Sequence, residues 1–203
     1  GYKRSELIFH SPERLVSILT AARRPVQLVF AGKAHPADET GKHNIQKVYR
    51  RAIDSMFAGR IAFVDDYDLH VAHFLVQGCD VWLNNPRKPL EASGTSGMKA
   101  SINGVPHLSI GDGWWAEGYS GQNGWLIDGH SQGGDPDATD AADADALYQL
   151  LEREIVPTFY DRDAQGIPRE WLKKVRHAMT TLVPQFSTGR MVQEDTEKYY
   201  LTK

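Results

Sequence analysis

The sequence predicts an α/β fold, a doubly wound Rossmann-like layer on a parallel sheet, and three observations carry that prediction. Short apolar runs alternate with segments of helical period. The connections between them are short, and repeated strand–helix order with short links implies parallel strands joined by right-handed crossovers. The run at 26–32, Val-Gln-Leu-Val-Phe-Ala-Gly, is almost continuously apolar, as strands covered on both faces are.

Taken in order, Ser11-Pro12-Glu13 supplies a cap, an N1 proline and a first-turn acid for a helix reaching about Ala22, which Arg23-Arg24-Pro25 stops. The strand at 26–32 gives way to a loop at 32–38. A helix from Glu39 to about Met56 then carries Ile45, Val48, Tyr49, Ala52 and Ile53 on one stripe. Residues 60–64 read as the next strand, and Asp65-Asp66-Tyr67-Asp68 leads into a helix ending at Gly78. In the run at 79–86, Val81 and Leu83 alternate with their neighbours until Asn84-Asn85-Pro86 breaks the strand. Further strands are expected at 105–110 and 124–127. Residues 130–143 are rich in Gly, Asp and Ala without an apolar period and read as a loop or hinge, and helices follow at about 144–160, 168–182 and 187–200.

Length and composition set bounds. The 203 residues, 41% hydrophobic, suffice for a core. No stretch approaches the roughly 20 apolar residues of a membrane span, and no signal-peptide pattern opens the chain. A net charge of −3 argues against a nucleic-acid surface built on overall charge. The single cysteine, Cys79, reads as a buried apolar residue and fits a reducing, cytoplasmic compartment. His70 and His73 stand at i, i+3 on one helix, but no acid or cysteine completes a metal set. His35 lies in a candidate ligand loop.

The chemistry gathers at 90–104, Leu-Glu-Ala-Ser-Gly-Thr-Ser-Gly-Met-Lys-Ala-Ser-Ile-Asn-Gly. Ser93, Thr95 or Ser96 can cap a helix running to about Asn103, with Asn103-Gly104 as its exit. Gly94 and Gly97 permit close approach to a ligand, and the first-turn amides offer an anion site. Lys99 lies at i+4 from Thr95, and Glu91 stands just upstream. A Walker phosphate loop is excluded by spacing, because Met98 separates Gly97 from Lys99. A nucleotide-sugar transferase would carry a second carboxylate deeper in the helix, where this chain has lysine. A lysine that holds pyridoxal phosphate as a Schiff base is the third option.

Glu91-Ala92-Ser93-Gly94-Thr95-Ser96-Gly97-Met98-Lys99 resembles the pyridoxal phosphate signature of the glycogen and α-glucan phosphorylases, whose larger members read Gly-Asn at Ser96-Gly97. The continuation through Asn103-Gly104-Val105 to Asp112-Gly113-Trp114-Trp115-Ala116-Glu117 is similar to the short bacterial and archaeal members, and the similarity runs from Tyr2-Lys3-Arg4 to the last helix.

The resemblance implies the carboxyl-terminal half of a GT-B glycosyltransferase fold. Residues 1–203 would form one cofactor-binding domain, with a C-terminal helix at 183–203 crossing towards an amino-terminal domain absent from this chain. The implied reaction is retaining, reversible phosphorolysis of α-1,4-glucan by inorganic phosphate to glucose 1-phosphate. The implied roles are Lys99 as the pyridoxal 5'-phosphate Schiff base; Tyr67, Thr95, Ser96 and Gly97 around the cofactor; Glu91, Ser93 and Gly94 on the sugar; and Lys3 at the substrate phosphate. Asp68 stands where the larger enzymes have a cofactor-contacting arginine. Trp114 and Trp115, in a loop beside the site, could stack on sugar or fill core. Residues 1–203 alone are expected to be inactive. A nucleotide-sugar-dependent glycogen or starch synthase domain and a non-catalytic carbohydrate-binding module remain the alternatives.

Overall fold

The computed structural model describes residues 1–130 and 135–201. Five parallel strands alternate with helices: β1 (Leu28–Ala31), α2 (Glu39–Ala52), β2 (Ile61–Val64), α3 (Leu69–Gly78), β3 (Trp82–Asn84), α4 (Thr95–Ile102), β4 (His107–Ile110), α5 (Trp114–Gly118) and β5 (Gly124–Ile127), with α1 (Pro12–Leu19) before β1. This is the parallel α/β organisation that the alternation of periods predicts. The ladder is not continuous, however. Strands β1 and β2 pair with each other, β3–β4–β5 form a second sheet, and no ladder joins the two among the described residues.

One core nonetheless serves both sheets. Leu15, Leu19, Val48, Phe57 and Ile61 pack in the same cluster as Leu108, Ile110, Trp125, Ile127, Leu147 and Trp171, with Leu28, Phe30, Val81 and Leu83 partly buried against it. A smaller cluster of Trp114, Trp115, Ala178 and Leu182 holds α5 against α8 (Arg169–Gln185).

Helix starts follow local chemistry. Asp38 accepts from the Gly41 amide, Asp68 from Val71 and Asp135 from Asp137, each satisfying a first-turn donor. The expected loop at 130–143 is corrected here: α6 spans Pro136–Leu150, opened by Asp135 and the N1 proline, and residues 131–134 lie outside the described residues. Its apolar residues are mostly alanines, so the sequence shows little period, yet Asp143, Ala144, Leu147 and Tyr148 are buried. The helix continues through a π turn at Leu151–Ile155 into α7 (Val156–Tyr160).

At the carboxyl end, α9 (Thr188–Asp195) runs into a π turn at Thr196–Tyr200, and Met191, Val192, Tyr199, Tyr200 and Leu201 are exposed. Among the described residues no helix is long and apolar enough to cross a membrane.

Candidate functional site

The carboxyl ends of β3 and β4 gather a polar cluster. Asn84 ends β3, and its Oδ1 accepts from Lys3 Nζ at 3.0 Å while its Nδ2 donates to Ser109 Oγ on β4 at 3.3 Å. Glu91, in the loop between β3 and α4, is 4% exposed. Its Oε1 lies 2.5 Å from Lys3 Nζ, and its backbone N–H donates to Asp112 Oδ2 at 2.8 Å. Its Oε2 is buried and has no donor among the described residues. Burial first, then the negative charge of Glu91, pushes the Tyr2 hydroxyl above its ordinary pKa.

Lys3 is delivered by its neighbour. Arg4 adopts φ 44° and buries its guanidinium, donating to the carbonyls of Asn85 at 3.1 Å and Pro86 at 2.9 Å. It also pairs with Asp140 at 2.7 Å and Asp143 at 2.9 Å on α6. The Arg87 amide donates to the Tyr2 carbonyl at 2.7 Å. The chain start is thus fixed to the β3 loop, which sets Lys3 over Glu91.

The expected caps of α4 are corrected. Gly94, at φ 95°, is the N-cap, and no Ser93, Thr95 or Ser96 side chain caps the helix. The role given to the glycines also changes. A Cβ at Gly97 would meet the His107 ring at 2.6 Å, and one at Gly94 would meet Glu91 Oε1 at 2.5 Å, so both glycines admit protein groups rather than open space for a ligand. The exit through Asn103 to Gly104, at φ 76°, is as expected. Asn103 Nδ2 also donates back to the Lys99 carbonyl at 2.8 Å.

Lys99 is exposed, and its ammonium makes no hydrogen bond or ion pair among the described residues; Thr95 is exposed and Ser96 half-buried. The Gly97 amide turns back to the Gly94 carbonyl at 3.2 Å, whereas the Thr95 and Ser96 amides have no acceptor among the described residues. An accessible, unpaired amine on the same helix as two free amides suits an aldehyde that bears an anionic group. Tyr67 is half-buried beyond β2, and no hydrogen bond or ion pair joins it or Lys99 to the Lys3–Glu91 cluster. Ser93 abuts that cluster through its carbonyl, which accepts from the Trp114 amide at 2.9 Å.

Trp114 and Trp115 stand in the short helix α5 and are 3% and 0% exposed, which assigns them to the core rather than to a sugar-stacking loop. His35 is exposed and accepts from the Ala37 amide. Cys79 is only partly buried, and desolvation pushes its thiol up to about 11. No group of His, Cys, Asp and Glu among the described residues is placed to hold a metal.

Sequence reasoning missed Asn84, Asp112, Arg4, Asp140, Asp143 and His107. His107 is fully buried beneath α4 with both ring nitrogens unpartnered. The one signal for the aspartates was their i, i+3 spacing, which shares a face only once 136–150 is known to be helical.

Fold and site together define an α/β domain of Rossmann type, with its polar groups at the carboxyl ends of the strands. The chain belongs to the carbohydrate phosphorylase family, whose model matches residues 2–117. It is 52% identical over 200 residues to a glycogen phosphorylase of Aquifex aeolicus, covering 98% of this chain and 28% of that one. A glycogen phosphorylase of Mycobacterium bovis is 49% identical and a maltodextrin phosphorylase of Thermococcus litoralis 47%, each over 98% of this chain and 23% of its own length. The chain therefore spans about a quarter of the length of these relatives.

Proposed function

We propose that residues 1–203 form the pyridoxal-phosphate-binding domain of an α-1,4-glucan phosphorylase, a cytoplasmic enzyme converting glucan and inorganic phosphate to glucose 1-phosphate with retention. The observation that carries this reading is the buried Glu91 carboxylate, one oxygen on Lys3 and the other without a donor, in a chain that belongs to the carbohydrate phosphorylase family. A desolvated acceptor of that kind is suited to the hydroxyls of a sugar, and an ammonium beside it to a phosphate.

Each residue then has a task. Glu91 accepts from a sugar hydroxyl and, with the Ser93–Gly94 backbone, fixes the ring. Lys3, steadied by Arg4 and Asn84, holds the substrate phosphate and offsets its charge where the glycosidic bond breaks. Lys99 would hold the cofactor covalently, while the Thr95 and Ser96 amides and Tyr67 would hold it through hydrogen bonds and Gly97 would line it. When bound, the cofactor supplies a phosphate that exchanges a proton with the substrate phosphate. The exposure of Lys99 leaves its amine open to the aldehyde.

The same reading assigns the exposed Met191, Val192, Tyr199 and Tyr200 to contacts with the amino-terminal domain of the same protein. It also implies that residues 1–203 alone form no glucose 1-phosphate from maltodextrin and phosphate; formation above background refutes that point. The test of the whole reading is borohydride trapping of pyridoxal phosphate on the complete polypeptide that carries residues 1–203, followed by peptide mapping. Label on Lys99 is expected, and label on a different lysine, or none, overturns the assignment.

A further inference from the structure

The Lys3–Glu91 pair closes the site upon itself. Lys3 Nζ, 2.5 Å from Glu91 Oε1, is also held by Asn84 Oδ1 at 3.0 Å. The two partners differ in exposure: the Glu91 side chain is 2% exposed and that of Lys3 44%. Lys3 can therefore turn to a ligand arriving from solvent, whereas Glu91 stays where it is and loses its charged donor. Asn84 Nδ2, at 3.4 Å from Oε1, and the neighbouring Tyr2 hydroxyl are neutral and therefore weak substitutes for an ammonium. Asp112 also lies beside the pair, and its carboxylate is already engaged by the Glu91 amide and repels an incoming anion.

We infer that this pair is a coupling latch, which makes the binding of a phosphate-type anion at Lys3 and of a neutral polyol at Glu91 mutually reinforcing. The inference rests on the ligand assignments proposed above and adds a relation between them. An anion that arrives alone must draw Lys3 away and strand a buried carboxylate, which is costly for a desolvated charge. A polyol that arrives alone finds Oε2 free but must compete with an ammonium for Oε1. With both present, hydroxyl donors satisfy Glu91 and the anion neutralises Lys3, so one separation of the pair serves two binding events. The coupling is reciprocal by thermodynamic necessity.

The experiment is a titration of the complete polypeptide carrying residues 1–203 with inorganic phosphate, by calorimetry, with and without saturating glucose as the polyol, and the converse titration. Glucose is expected to tighten phosphate binding by about 5- to 150-fold, and phosphate to tighten glucose binding by the same factor. In Glu91→Gln the carboxamide holds no ion pair, so phosphate alone should bind more tightly than to the wild type while the coupling falls to within about twofold. Should Glu91→Gln fail to fold by circular dichroism, Lys3→Gln breaks the pair from the exposed side and should make glucose affinity independent of phosphate. Equal phosphate affinity with and without glucose in the wild type, or coupling that persists in both variants, overturns the latch while leaving the ligand assignments in place. Phosphate and glucose affinities unmoved by either substitution overturn the assignments themselves.

Discussion

Two ion pairs of nearly equal length stand at the ends of the two sheets. Lys33 and Asp66, beyond β1 and β2, meet at 2.7 Å with the aspartate side chain 93% exposed; Lys3 and Glu91, beyond β3, meet at 2.5 Å with the glutamate side chain 2% exposed. The first borders an open groove of about 450 Å³ lined by Gly32, Ala34, Lys42, Phe63 and Asp65 among others. The second is walled by the Gly94 and Gly113 backbones, Asp112 and β4, all four residues of which are buried. Distance does not separate these pairs; desolvation does. A surface pair contributes little, while a buried carboxylate needs every donor it has. The comparison teaches that this chain places its committed polar chemistry where the backbone is tightly packed and leaves the β1–β2 end adaptable.

The largest test of that contrast lies in glycine. Gly113 sits at φ 53°, and a Cβ there would come within 2.4 Å of the Ser93 carbonyl and 2.9 Å of the Glu91 carbonyl, backbone that cannot yield without moving the site. Gly113→Val should abolish cooperative folding of the β3–β5 region or leave it without phosphate affinity. Gly32, at the end of β1, has nothing within 4 Å of such a Cβ, so Gly32→Ala should leave the denaturation midpoint unchanged. Equal tolerance at the two positions, read by urea titration, would erase the distinction.

Next in size is aromatic packing. Trp115 is fully buried and its Nε1 donates to the Trp125 carbonyl at 3.1 Å, so Trp115→Ala should cost about 3–5 kcal/mol. Val29 on β1 is 54% exposed, and Val29→Ala should cost well under ~1 kcal/mol. Chemical denaturation of both variants checks the ratio, and a Val29 loss near that of Trp115 would show the β1 edge to be covered in solution.

What could be read from the sequence divides along the same line. Periodicity located all five strands and the helices α2 and α3, because short buried runs and amphipathic stripes are local signals, whereas the five-residue α5 between β4 and β5 reads as loop in the sequence. The signature named Glu91 and the α4 helix, and the match of Tyr2-Lys3-Arg4 named Lys3. Asn84, Asp112 and the Arg4–Asp140–Asp143 clamp were not legible, since each acts through a partner tens of residues away or more. Sequence leaves the tryptophans between core and sugar stacking for a related reason: a Gly-Trp-Trp run after a strand gives no hint that α8 will cover it. The break of the ladder into two sheets is likewise a matter of pairing, and pairing leaves no mark on a single strand.

His107 gives the third test, through pH. An unfolded imidazole takes up its proton near pH 6.5, while burial first and the positive charge of Lys3 second push folded His107 down to about 3. Between these values the unfolded chain binds the extra proton, so this contribution to stability is complete above about pH 6.5 and is lost as pH falls, with a slope of up to ~1.4 kcal/mol per pH unit. His107→Leu should flatten that limb of the stability profile, measured by urea midpoints from pH 4 to pH 7. A variant with the wild-type slope would assign the acid sensitivity to other groups.

The smallest effect is expected at the exposed pair. The hydrogen bond from Lys33, and next its charge, hold the Asp66 carboxyl below the ordinary carboxylate value. Whatever stability this brings is present above the unfolded carboxylate pKa and lost as pH falls through the lowered folded value, the same sign as for His107 but in a more acid window. With the carboxylate in water and screened by salt, Asp66→Asn should leave both the urea midpoint and its acid limb unchanged at physiological ionic strength. A measurable loss would mean that water is excluded from the groove between β1 and β2. That end of the sheet would then hold its charges as tightly as the Lys3–Glu91 end, and the asymmetry on which the other three tests are built would no longer stand.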